Sequence, residues 1–147
     1  MSHKKVLLAF VSIMALFPSV VLGQSLPEEL EADVVVYGAT YGGISAAAAA
    51  AREGRSVLLV EHMSYLGGLL GAGFSMFQDV PFREPLGGIT GWWYDRTRKY
   101  KDQHRIQESR ALVEEMLSPY ADKIRILTEH RVRSVTKDGD RIVSIIL

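Results

Sequence analysis

The 147-residue chain has no cysteine. That excludes disulfides, thiol-linked cofactors, redox dithiols and cysteine-ligated metal. Excess charge of one sign is missing too, with 17 basic residues against 17 acidic, so nothing draws the chain to nucleic acid or to an anionic membrane surface. Proline is scarce at five residues, there are only four histidines, and no internal repeat is evident. His104 and His130 have no metal-ligand partners at useful spacing and read as structural. No apolar run reaches the roughly twenty residues that a spanning helix needs. The longest, Val6 to Leu22, is interrupted by Ser12, Pro18 and Ser19.

That run has the form of an export signal. Lys4 and Lys5 give a basic start, the apolar stretch follows, and Val21-Leu22-Gly23 offers small residues for cleavage. The reading is a signal peptide over residues 1–23, a solvated linker over 24–32 and an exported, periplasmic or extracellular domain over 33–147. There is no membrane attachment after cleavage. Retention of residues 1–22 as an anchor is the alternative. No twin arginine precedes the apolar run, so export of an unfolded chain is expected, with any cofactor acquired outside the cytoplasm. Cleavage removes Lys4 and Lys5, leaving 15 basic and 17 acidic residues, a net charge of −2. The remaining 124 residues suffice for one core.

The strongest signal lies between Asp33 and Glu61. Asp33 to Tyr37 is a β-rich apolar run ending at Gly38, and Gly42-Gly43 opens an alanine-dense helical stretch that Gly54 stops. Ser56 to Val60 is a second buried strand with Glu61 at its end. The spacing Gly38-x-Thr40-x-x-Gly43, with Glu61 twenty-three residues past Gly38, is a dinucleotide-binding βαβ fingerprint with threonine at the middle glycine. Gly38 permits the sharp turn, and Gly43 with Ala46, Ala47 and Ala50 lets the helix approach the sheet. The helix start then faces a pyrophosphate, aided by its dipole and unpaired amides. The Thr40 hydroxyl is a further donor to phosphate. Glu61 accepts from the adenosine ribose hydroxyls, and its charge disfavours the 2′-phosphate of NADP. FAD and NAD both remain open on these residues alone.

Downstream, a glycine-rich segment through Gly67-Gly68, Gly71 and Gly73 runs irregularly toward Pro81 and Pro85. A helix is expected from Ile89 to about Gln103, with Trp92 and Trp93 in the core and its basic residues solvated. A second helix, from Ile106 to Tyr120, puts Leu112, Val113, Met116 and Leu117 on one stripe. Ile124 to Leu127 is a third strand. Val132 to Thr136 and Ile142 to Leu147 form a hairpin around Lys137-Asp138-Gly139-Asp140. Right-handed crossovers set the parallel strands in the order third, second, first. The fold class is therefore α/β, a Rossmann-like βαβ unit with a parallel sheet plus a β-hairpin from an incomplete meander.

Together these residues resemble the FAD-dependent oxidoreductases of the two-dinucleotide-binding-domain class, above all the exported group loosely labelled xanthan lyase-like. Asp33 to Thr40, Glu61 with Tyr65-Leu66-Gly67-Gly68, Gly87-Gly88, Trp92-Trp93-Tyr94 and the hairpin carry the resemblance, which covers nearly all of the mature chain. It implies FAD as cofactor, with Gly38, Ala39, Thr40, Gly42 and Gly43 at the pyrophosphate and Glu61 at the ribose. Gly67 and Gly68 fall on the flavin side, and Val132 offers backbone contacts to the adenine. Asp79 resembles an acidic position near the flavin and is the single, weak catalytic candidate. His62, beside Glu61, reads as a surface or adenosine-side residue. The implied reaction is hydride transfer from an unspecified small organic substrate to flavin. In relatives the hairpin is followed by a returning strand, a substrate domain and a Gly-Asp segment, none of which follows Leu147. The chain is accordingly expected to be the inactive front part of a longer flavoprotein, its first strand left on a sheet edge. Two alternatives are a non-catalytic nucleotide-binding or membrane-anchored truncated product and an NAD-dependent Rossmann enzyme.

Overall fold

A computed structural model describes residues 29–73, 82–97 and 106–147. The order of elements is β1 (Val34–Tyr37), α1 (Tyr41–Arg52), β2 (Val57–Val60), α2 (Gly68–Gly71), α3 (Gly88–Thr97), α4 (Ile106–Leu117), β3 (Ile124–Leu127), β4 (Ser134–Asp138) and β5 (Arg141–Ile146). Residues 1–28, which include the expected signal peptide, lie outside the described residues, as do Asp79 and His104.

β1, β2 and β3 form a parallel sheet in that spatial order, in the register Val34↔Val57↔Ile124 through Tyr37↔Val60↔Leu127. This is the 3-2-1 arrangement that the crossovers require. β2 is buried along its whole length, whereas Val35 and Tyr37 of β1 are exposed. Val57, Leu59 and Ile124 join the core beneath α1 and α4, and Val34 and Val36 pack against it. One face of the sheet thus meets the helices, and the alternation along β1 turns Val35 and Tyr37 to the other face.

α1 shows why the chain is so rich in alanine here. Ala47, Ala48 and Ala51 are buried with Ile44, so the helix backbone sits close to the sheet. Helical periodicity corrects one detail, because Ala46 points outward and Ala48 takes the inner position. The helix closes in a left-handed turn at Gly54 (φ +82°), where Gly54 N–H donates to Ala51 O at 2.9 Å and Arg55 N–H to Ala50 O at 3.1 Å. This pair of bonds satisfies carbonyls that have no helical partner.

α4 presents Leu112, Val113, Met116 and Leu117 to the core on the expected stripe. It is shorter than the sequence suggests. Past Leu117 the chain tightens into a 3₁₀ turn over Ser118–Tyr120, because Pro119 has no N–H for the carbonyl one turn back. α3 joins through Trp93, which is buried, stacks on Tyr41 with ring centroids 4.0 Å apart and donates from Nε1 to Ser45 Oγ at 2.7 Å. Tyr41 O in turn accepts from the Ser45 hydroxyl at 2.7 Å. The segment before α3 is held by Arg83, whose guanidinium donates to both carboxylate oxygens of Asp95 at 2.7 and 2.6 Å.

The hairpin forms around a two-residue loop, with Asp138 paired to Arg141 and Gly139 at φ +57°. Its first strand starts later than expected. β4 begins at Ser134, so Val132 lies outside it, in the connection from β3. The register runs out at Ser134↔Ile146, where Arg133 N–H donates to Ile146 O at 2.7 Å. The preceding residues bond elsewhere, Glu129 N–H to Met63 O at 3.1 Å and His130 N–H to Glu61 O at 3.0 Å.

Candidate functional site

The C-terminal ends of β1 and β2 and the first turn of α1 meet at one place. Gly38 closes the strand pairing, its N–H donating to Val60 O at 2.7 Å, and its φ of +101° is open to glycine far more readily than to other residues. A Cβ on Gly38 would meet no atom within 4 Å, so the backbone conformation alone demands glycine there. Gly43 is required for the opposite reason. A Cβ on it would lie 1.8 Å from the Gly38 carbonyl oxygen, which brings helix and turn into direct backbone contact.

Between them, Thr40 is the N-cap of α1. Its Oγ1 accepts from Gly43 N–H at 3.3 Å, and its main-chain oxygen accepts from Ile44 N–H at 2.8 Å. Threonine at the middle-glycine position therefore caps the helix, and among the described residues none accepts its hydroxyl hydrogen. Gly42, in the same turn, is exposed, and the nearest atom to a Cβ on it is Thr40 Oγ1 at 3.7 Å. Nothing in the described chain requires glycine at 42. Its side-chain-free surface lies at a helix N-terminus, where unpaired amides and the dipole favour an anion.

Gly67 and Gly68 reach this turn from the loop after β2. Gly67 N–H donates to Ala39 O at 2.7 Å, and Gly67 bridges Thr40 in parallel fashion. The doublet has reasons of its own for being glycine. Both residues have positive φ, +102° and +57°, and a Cβ on Gly68 would lie 3.0 Å from Thr40 Cγ2. The two glycine patches are thus one continuous backbone surface.

Glu61 is the buried acid of the site, 4 % exposed. Its Oε2 accepts from Ala39 N–H at 2.7 Å and its Oε1 from Met63 N–H at 2.9 Å, and His62 Nδ1 stands 2.8 Å from Oε1. A carboxylate offers roughly four acceptor positions. Two are taken by main-chain N–H groups, so Glu61 ties the Gly38–Thr40 turn and Met63 to the end of β2. Val132 is half-buried in the connection that bonds back to Glu61 and Met63 through residues 129 and 130.

Spacing alone did not reveal Tyr41. Its ring stacks on Trp93, and its hydroxyl shares a hydrogen bond of 2.9 Å with buried Ser109 of α4. It lies 3.5 Å from where a Cβ on Gly67 would stand. Burial pushes the Tyr41 phenol above its ordinary value, and the Ser109 hydrogen bond opposes that shift. The residue thereby packs the start of α1 against α3 and α4. Ser109 is sixty-eight positions away, and no local pattern points to it. Among the described residues no group of acidic or histidine side chains is placed to hold a metal, and no helix is long and apolar enough to cross a membrane.

Comparison with known proteins agrees with this geometry. The sequence model of the family described as FAD dependent oxidoreductase matches residues 33–147. A thiamine thiazole synthase of Aeropyrum pernix is 43 % identical over 65 residues, covering 44 % of this chain and 24 % of that protein. Among solved structures, THI4 of Thermovibrio ammonificans is similar at a TM-score of 0.51 and 17 % identity, with 78 % of this chain and 46 % of that one covered. A PqsL variant of P. aeruginosa gives a TM-score of 0.51 at 20 % identity, covering 78 % and 38 %. At these identities the structures speak for the fold. The chain spans about a quarter of the curated relative and less than half of either structure.

Proposed function

The chain belongs to the FAD-dependent oxidoreductase family, whose cofactor is FAD, and we propose that it is the dinucleotide-gripping part of an exported member that passes a hydride from a small organic substrate to flavin. The observation that carries the proposal is Gly42. It is exposed at the start of α1, and its missing side chain answers no contact within the described chain, which is what a surface kept clear for a pyrophosphate requires. In this reading the turn from Gly38 to Gly43 holds the pyrophosphate, Thr40 donates its hydroxyl hydrogen to it, and Glu61 accepts a ribose hydroxyl on Oε2. The Gly67-Gly68 loop, stitched to Ala39 and Thr40, extends the side-chain-free surface toward the flavin half, and the connection carrying Val132 borders the adenine. When bound, flavin supplies the two-electron chemistry, and the protein supplies position and electrostatics. Asp79 remains the candidate acid near the flavin. Export rests on the residues 1–23 pattern, and the chain alone is expected to turn nothing over.

Equilibrium titration of the purified chain with FAD and NAD in parallel tests the binding reading. FAD is expected to bind and NAD to compete poorly. Equal affinity for the two would favour an NAD enzyme, and failure of FAD to bind would sink the assignment of these residues. Amino-terminal sequencing of protein recovered outside the cytoplasm tests export, with Gln24 as the expected first residue.

A further inference from the structure

The turn from β1 into α1 is joined to the Gly67-Gly68 loop by more than main chain. Gly67 N–H donates to Ala39 O at 2.7 Å and Gly67 pairs with Thr40 as a parallel bridge, so the two segments run side by side. Side chains of the turn then close on the two glycines in order. A Cβ on Gly67 would stand 3.5 Å from Tyr41 Cε1, and one on Gly68 would stand 3.0 Å from Thr40 Cγ2 and 3.3 Å from Thr40 Cβ. Thr40 reaches both ways because it is branched at Cβ. Its Oγ1 accepts from Gly43 N–H at 3.3 Å and caps α1. With Oγ1 held there, the staggered arrangement about Cα–Cβ fixes Cγ2 as well, and it lies on the side where Gly68 passes. Capping alone does not call for threonine, since serine caps a helix at least as well. What threonine adds is the methyl, and the methyl meets the loop. Thr40 is itself exposed, whereas Gly67 is buried, so this side chain stands at the open seam between the two glycine patches.

We propose that Thr40 holds the two halves of the dinucleotide site in register, its hydroxyl serving the pyrophosphate and its methyl positioning the Gly67-Gly68 loop for the flavin half. The proposal rests on the FAD-binding reading above, in which that loop lies toward the flavin. A loop kept free of side chains to admit a ligand has none of its own to hold it in place. The neighbouring turn supplies the missing contact, which glycine or serine at position 40 would not. Thr40 is thus a positioning residue for the flavin half, and it takes no part in catalysis.

The test uses the full chain and its Thr40→Ser and Thr40→Val variants, with FAD and ADP as probes. Exchange of the Gly67 amide hydrogen, measured without ligand, reads the docking of the loop. Serine keeps the hydroxyl and removes the methyl, whereas valine keeps a methyl toward Gly68 and removes the hydroxyl. In Thr40→Ser the Gly67 amide is expected to exchange about fourfold faster, the worth of one buried methyl, and the ratio of FAD to ADP affinity to fall by a similar factor. In Thr40→Val the Gly67 amide should exchange as in the unaltered chain, while affinity for FAD and ADP falls together by about tenfold, the loss of one bond to a charged group. A Gly67 amide as slow in the serine variant as in the unaltered chain overturns the proposal, as does a valine variant whose Gly67 amide opens as serine's does. An unaltered chain that binds neither FAD nor ADP overturns the FAD reading itself, and this proposal with it. An unaltered chain that binds both, in a ratio that serine leaves untouched, overturns only the role of the Thr40 methyl.

Discussion

Two adjacent glycines separate the needs of the ligand from those of the fold. Gly43→Ala would put a Cβ 1.8 Å from a backbone oxygen, so chemical denaturation should show a loss of at least the ~1–3 kcal/mol typical of overpacking, together with loss of FAD binding. Gly42→Ala meets only Thr40 Oγ1, at 3.7 Å. It should leave stability unchanged or raise it by up to about 1 kcal/mol through helix propensity, while FAD affinity falls about tenfold or more as one charge-assisted bond is lost. If Gly42→Ala bound FAD normally, the phosphate would not lie on that turn. Asp33, at the other end of β1, gives a prediction that depends on pH. Its Oδ2 accepts from Ser56 N–H at 2.9 Å and Ser56 Oγ at 2.8 Å. These bonds, the backbone one foremost and then the hydroxyl, with Arg55 nearby, hold its carboxyl below the ordinary value. A depressed carboxylate stabilises the fold above its unfolded pKa and loses that effect as pH falls through the folded one. The gap in melting temperature between the unaltered chain and Asp33→Asn should therefore be present at neutral pH and close in acid. A gap independent of pH would contradict the ionic account.

At the scale of elements, the first turn of α1 depends on helices that are distant in sequence. Trp93 of α3 stacks on Tyr41 and bonds Ser45, and Ser109 of α4 bonds the Tyr41 hydroxyl. Trp93→Ala should cost roughly 3–5 kcal/mol by the usual toll of a buried aromatic, measured by urea unfolding. Trp93→Phe should restore most of the packing and leave Ser45 without its indole donor. A loss below about 1 kcal/mol for the alanine variant would mean that α3 is not part of this core. The aromatics were legible as core from the α3 sequence. Their particular task, bracing the first turn of α1, was not, because it depends on which face of α3 meets which residue of α1. The same holds for Val132, which the alternation over Val132 to Thr136 places at the start of a strand. The strand begins at Ser134 instead, and the backbone at residues 129 and 130 bonds to Met63 and Glu61.

Over the molecule as a whole, burial is uneven. β2 is closed in on both sides by parallel partners and fully buried, while among the described residues β4 and β5 pair only with each other and leave Val135, Ile142, Val143 and Ile146 about half exposed. Two-stranded ribbons are marginal without further cover, and local opening follows low burial. Hydrogen exchange should therefore show the amides of β5 exchanging well before those of Val57–Val60. Simultaneous exchange of the two would mean that the hairpin and the sheet open as one cooperative unit.

The sequence by itself determined the βαβ unit, the strand order, the acidic residue at the end of β2 and the glycines of the turn into α1. All of these follow from local spacing, from side-chain volume and from the handedness of crossovers, which a linear pattern encodes. Only the tertiary structure decided that Glu61 bonds the main chain of both Ala39 and Met63, why Gly67 and Gly68 must be glycine against Thr40, and that Tyr41 and Trp93 brace the turn. These depend on residues remote in sequence meeting at hydrogen-bond or van der Waals distance, and spacing along a chain does not specify which atoms will meet.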